Sequence, residues 1–149
     1  MGWFTPSLPS GIEVPRLIIA AHEIGHAMAF HAAGIEVNEC VIGSDGDGIT
    51  EIEDPDDSQH HGYLIGLMGG SAGEQLWCAE FGQSLPAYCR TYTGDEKLFK
   101  QHQRQFREAR AIGMSGARRA ARKIIIAEKK RFRQLVEQLA RRGELEWRN

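Results

Sequence analysis

The sequence predicts an α+β fold, mainly α, with one small β-hairpin or sheet, and three observations carry that prediction. Residues 15–33 and 62–79 are long apolar runs of helical length. Two short alternating segments flank a Gly/Asp-rich turn between those runs, the pattern of a hairpin. The last third spaces its apolar residues at i, i+3 and i+4 in a charged background, which is an amphipathic helix. At 149 residues, with 42% hydrophobic and 26% charged residues, the chain suits one globular domain. The reading divides it into an irregular arm, 1–14, and a domain over 15–149.

Pro6, Pro9 and Gly11 punctuate the arm. Pro15 suits the first turn of a helix, where its missing N–H has no partner to lose, and Gly34 suits its C-terminal stop. "IEVNECVIG" and "GITEIED" read as two strands around "GSDGDG"; Asp45 and Asp47 belong to that turn, since the remaining ligands of a calcium loop are missing. "EDPDDSQHHG" reads as an acidic loop with His60 and His61 solvated. The helix over 62–79 contains several glycines, each costing about 1 kcal/mol in a helix, so close packing against the first helix is expected there. A connection with Pro86 leads to a polar helix from Asp95 to about Ala111, "GMSG" breaks it, and a final helix covers 117–142, presenting Ile125, Phe132, Leu135, Val136 and Leu139.

No apolar run reaches the roughly 18–20 residues of a membrane span, and the N-terminus lacks the basic start and apolar stretch of a signal peptide. Cys40, Cys78 and Cys89 are odd in number and form no C-x-x-C, which favours a reducing, cytoplasmic setting. The net charge of −2 conceals an asymmetry: residues 1–100 hold 4 basic and 15 acidic groups, residues 101–149 hold 14 basic and 5 acidic. A basic tail can bind nucleic acid or an acidic partner. No zinc finger or aromatic-rich basic motif supports nucleic acid, and the charge reads first as a solvated helix face.

The most specific signal is "HEIGH" in the first helix. Residues four apart share a helix face, so His22 and His26 can aim two imidazole nitrogens at one metal ion. Glu23, turned about 100° around the helix, can reach a metal-activated water without being a ligand. In that role it takes the water's proton and returns it to the leaving nitrogen. Two histidines and a glutamate in an apolar helix are expensive to bury, and a metal accounts for all three. The third ligand is not in this stretch. The metzincin pattern requires a histidine where Ala32 stands, with His31 one residue early, and a thermolysin-like Glu would fall in the hairpin, at Glu51 or Glu53.

Three segments, in order, resemble the peptidase domain of the FtsH-type AAA zinc metalloproteases. "AAHEIGHAMAF" resembles that family's His-Glu-Ala-Gly-His-Ala helix. "LMGGSAGEQLW" is similar to its Gly-Gly-Arg-Ala-Ala-Glu-Glu helix, with Ser71 for the Arg, Gly73 for an Ala and Gln75 for the second Glu. "TYTGDEKLFKQ" is similar to its Thr-Gly-Ala-x-Asn-Asp-Leu segment, shortened between Gly94 and Asp95. The Leu-rich "LVEQLARRGELEW" is also similar, so the resemblance covers about residues 15–145.

The resemblance implies a helical, zincin-like peptidase domain binding Zn²⁺ through His22, His26 and Asp95, with Glu23 as general base. It implies a supporting role for Glu74, which orients a histidine or serves as the alternative ligand. The shortening before Asp95 leaves Glu96 open as well. His102, on the face of Asp95, Phe99 and Phe106, reads as a core or surface histidine. The family's ATPase motif G-x-x-x-x-G-K-[ST] does not occur in this sequence. The expected substrates are therefore peptides or unfolded protein, with a separate unfoldase or regulatory partner for anything folded. The strand around Ile49–Ile52 is a candidate for pairing with substrate. The alternatives are a metal-stabilised binding or regulatory module without catalysis, and a binder of nucleic acid or an acidic partner through the basic C-terminal helices.

Overall fold

The computed structural model describes residues 5–85 and 93–148. Pro86, Cys89 and the Thr-Tyr half of the Thr-Gly segment lie outside the described residues. The described chain is mainly helical, with one three-stranded antiparallel sheet, as the sequence predicts.

Helix α1 (Val14–Ala32) starts one residue before Pro15, stops ahead of Gly34 (φ 77°), and is buried along most of its length. It is the central element, packed against the strands and most of the other helices. Strands β1 (Val37–Ile42) and β2 (Gly48–Ile52) form the predicted hairpin, with Cys40 opposite Thr50. Within its turn the Asp45 carboxylate accepts the Asp47 N–H at 3.1 Å, so that aspartate serves the turn.

Helix α2 (His60–Phe81) crosses α1 with the two backbones in contact. A Cβ on Gly25 would stand 2.2 Å from the Gly69 carbonyl oxygen, and one on Gly73 would stand 2.3 Å from that of Ala21. The glycines therefore offset their helix cost by bringing the helices together, as their sequence suggests. Gly25→Ala is expected to destabilise the fold by about 1–3 kcal/mol, the range for overpacking, because the obstructing atoms are backbone. Urea denaturation measures this.

The C-terminal half departs from the sequence reading in three places. The polar helix α3 (Thr93–Gln105) ends early, and Arg107–Ala111 forms a separate 3-10 turn. The single helix expected over 117–142 is two, α4 (Met114–Ala127) and α5 (Lys129–Arg142), broken at Glu128 (φ −124°, ψ 42°). No Gly or Pro marks the break. It follows from packing, since α4 lies mainly on α2 while α5 turns onto α1, with Lys129 and Arg133 paired to Glu80 of α2. After Gly143 (φ 79°) a short strand, β3 (Glu144–Glu146), pairs with β1 and buries Leu145, giving the order β2-β1-β3. Three residues are too few for their alternation to be read as a strand.

His60 is a further correction. It is the first residue of α2, buried, and stacked on Phe106 at 4.0 Å, with its Nδ1 3.0 Å from His102 Nε2. The end of α3 and the 3-10 turn fold over the start of α2 and remove His60 from solvent; His61 is exposed, as expected. Cys40 and Cys78 are buried free thiols, and burial pushes the Cys40 pKa up to about 12. Among the described residues, no helix is long and apolar enough to cross a membrane.

Candidate metal centre

Three side chains from two distant parts of the chain meet at one point. His22 and His26 lie one turn apart on α1, and their Nε2 atoms are 2.9 Å from each other. Asp95 arrives in the first turn of α3, with Oδ2 3.1 Å from both nitrogens. The helix dipole favours a carboxylate at that position. Among the described residues this is the group of His, Cys, Asp and Glu that can hold a metal ion. Glu96, the neighbouring alternative, turns away to Arg118 of α4 at 3.9 Å.

The far sides of both imidazoles are fixed. His26 Nδ1 is 2.8 Å from the Gly66 carbonyl oxygen, which can only accept, so this nitrogen carries the proton. His22 Nδ1 is 2.6 Å from Glu74 Oε1. In both neutral rings Nε2 therefore presents a lone pair to the centre, where Asp95 adds a carboxylate oxygen. Three acceptors facing one another repel unless a proton or a metal ion lies between them. Glu74 Oε2 is buried with no hydrogen-bond partner among the described residues. A tetrahedral zinc site with bonds of about 2.0–2.1 Å spaces its donors about 3.3 Å apart, a few tenths wider than the observed triangle. Gly70 keeps the space beside the rings open: a Cβ there would stand 2.4 Å from His26 Nε2 and 2.6 Å from His22 Nε2. The donors, their fixed orientation and the open space all fit a zinc ion.

Electrostatics point the same way. Burial lowers the His22 pKa, but hydrogen bonds to Asp95 and Glu74 and the Glu23 charge outweigh it, raising the value from 6.5 to about 10. Burial raises that of Asp95, but hydrogen bonds with His22 and His26 hold it well below the usual carboxylate range. Without metal, a proton on His22 supplies the missing positive charge. This raised pKa contributes stability that is complete below about pH 6.5 and is lost as pH rises through about 10. Zinc bound there would have to displace the proton, so its apparent affinity is expected to rise about tenfold per pH unit, or roughly 100-fold from about pH 6.5 to 8.5. Calorimetric zinc titration of the metal-free chain at the two pH values checks the slope.

Glu23 lies beside the cluster without joining it. Its carboxylate is almost fully buried under β2, where Oε2 accepts from the Thr50 hydroxyl at 2.5 Å. The centre opens into a cleft of about 320 Å³. Phe30, Ile52, Tyr63 and Leu67 line it, and the exposed side chains of Ile49 and Leu98 stand at it. β2 is an edge of the sheet, so its outer backbone groups face no other strand among the described residues. A larger groove of about 740 Å³, between α5 and β3, shares no residue with this cleft and balances three arginines against three glutamates.

The structure thus brings together His22, His26 and Asp95, places Glu23 beside them, and sets Glu74 behind His22. Sequence reasoning missed Thr50 and Gly70. Alternation puts residues 48, 50 and 52 on one face of a strand, but nothing local says that this face meets Glu23. His102 does not reach the centre; it packs with His60, Tyr63 and Phe106. No protein-family model matches the chain, and no curated protein matches it in sequence.

Proposed function

We propose that this chain is a zinc-dependent metallopeptidase that hydrolyses peptide bonds in peptides or unfolded protein. The observation that carries the reading is the convergence of His22, His26 and Asp95 beside Glu23, all lining one open cleft. His22, His26 and Asp95 would hold the ion, and Glu74 would fix the His22 ring through its other nitrogen. When bound, zinc supplies Lewis acidity that polarises a carbonyl and lowers the pKa of water.

Glu23 accepts the proton of the attacking water and delivers it to the departing amine. The edge of β2 offers backbone hydrogen bonds to an extended substrate, and the apolar wall of Phe30, Ile52, Tyr63 and Leu67 receives a side chain and keeps water from the reacting groups. The similarity to FtsH-type peptidase helices noted above supports the same roles for these residues. A structural zinc site gains nothing from a carboxylate like Glu23, and such sites favour four protein ligands. Hydrolysis is thus the better reading than a silent metal-stabilised module.

The test is metal analysis of the purified chain with a casein digestion assay, before and after chelation. The expected result is about one zinc per chain, cleavage abolished by chelator, and recovery on adding zinc. Zinc without cleavage would favour the binding module. Salt-sensitive DNA binding with neither zinc nor cleavage would move the function to the basic helices.

A further inference from the structure

The inner face of β2 does more than close the cleft. Gly48 and Thr50 are two residues apart, so both face α1, and both meet Glu23. Thr50 Oγ1 lies 2.5 Å from Glu23 Oε2 and 3.0 Å from the Glu23 carbonyl oxygen. A hydroxyl has one proton to give, and the charged, closer acceptor takes it. The Cys40 thiol, on the paired residue of β1, lies 3.7 Å from that same carbonyl and can serve it instead. At Gly48, a Cβ would stand 2.6 Å from both Cγ and Oε1 of Glu23 and 2.9 Å from Cδ. Gly48 is not among the glycines with positive φ, so its backbone would accept alanine; it is the Glu23 side chain that needs the missing methyl.

We propose that Thr50 and Gly48 are positioning residues for Glu23: the Thr50 hydroxyl tethers one carboxylate oxygen, and Gly48 leaves the space in which the other is held. The inference rests on the peptidase reading above and deepens it. A general base needs one oxygen free and aimed, and a carboxylate tied at one oxygen only among the described residues meets that need. Because the tether comes from the edge strand offered to substrate, the same strand sets the position of the bound peptide and of the base that acts on it.

The test uses the full chain as parent, Thr50→Val, Thr50→Ser and Gly48→Ala. Zinc affinity, kcat and KM are measured on a casein-derived peptide, and the Glu23 side-chain carboxyl ¹³C resonance, assigned by its loss in Glu23→Gln, is followed in the metal-free protein. Thr50→Val and Gly48→Ala are expected to keep zinc affinity and KM within about threefold and lower kcat about 10- to 100-fold, part of the roughly 10²–10⁴-fold that acid–base catalysis contributes. Both should shift the Glu23 resonance, while Thr50→Ser restores kcat and resonance to near the parent. An unchanged kcat in Thr50→Val, a fall in kcat with an unmoved resonance, or a fall explained by lost zinc each overturns the proposal. If Thr50→Val does not fold, Gly48→Ala and Thr50→Ser decide on the same criteria. A parent that cleaves nothing sinks the peptidase reading, and the Glu23 resonance alone then decides whether the tether exists.

Discussion

Replacing Glu23 by Gln is expected to leave zinc binding intact and to lower peptide cleavage by about 10²–10⁴-fold, the usual contribution of a positioned acid–base group. Gln has nearly the same shape, and its amide oxygen can still accept from Thr50, so the cleft and the histidines beside it stay in place. What it lacks is the capacity to take up a proton. The variant thus separates holding a metal from using it. Zinc content and initial rates on casein, measured on the same preparations, check both halves. Cleavage surviving at the parent rate would rule out Glu23 as the base.

The second large effect concerns the metal itself. Asp95→Ala removes a proposed ligand, and Glu74→Ala removes the group behind one. Losing an outer hydrogen-bond partner typically costs about 10–100-fold in metal affinity, so Glu74→Ala should fall in that range. Asp95→Ala should lose more, since two histidines then face the ion alone. Competition titration with a zinc chelator ranks the two. Zinc retained in Asp95→Ala but lost in Glu74→Ala would reverse their roles. The geometry argues against that outcome: Glu74 Oε1 meets the outward nitrogen of His22, whereas Asp95 Oδ2 meets the inward nitrogens of both histidines.

These residues also show what the sequence could and could not reveal. His22, Glu23 and His26 were legible because helical spacing fixes their relative directions. The hairpin was legible from alternation and turn residues, and the close approach of α1 and α2 from glycines too costly to lack a purpose. Asp95 needed more than spacing, since it lies 69 positions from His26 and its partnership depends on how α3 docks. The break at Glu128, strand β3 and the burial of His60 were illegible for one shared reason. Each is imposed by a neighbour distant in sequence: Glu80 on Lys129 and Arg133, β1 on Leu145, and Phe106 on His60. Thr50 belongs with them, because a strand's alternation gives two faces without saying which one meets a carboxylate.

The origin of Asp95 has a consequence for the order in which the molecule becomes competent. Helices α1 and α2 pack on each other through their glycines, with no residue of α3 in that seam. Helix α1 by itself holds the proposed base and two of the three proposed donors. The third waits on α3, which is polar and buries Phe99 as its main apolar anchor among the described residues. For the proposed peptidase, hydrolytic power then depends on the docking of α3. An ion bound there would also clasp that helix to α1.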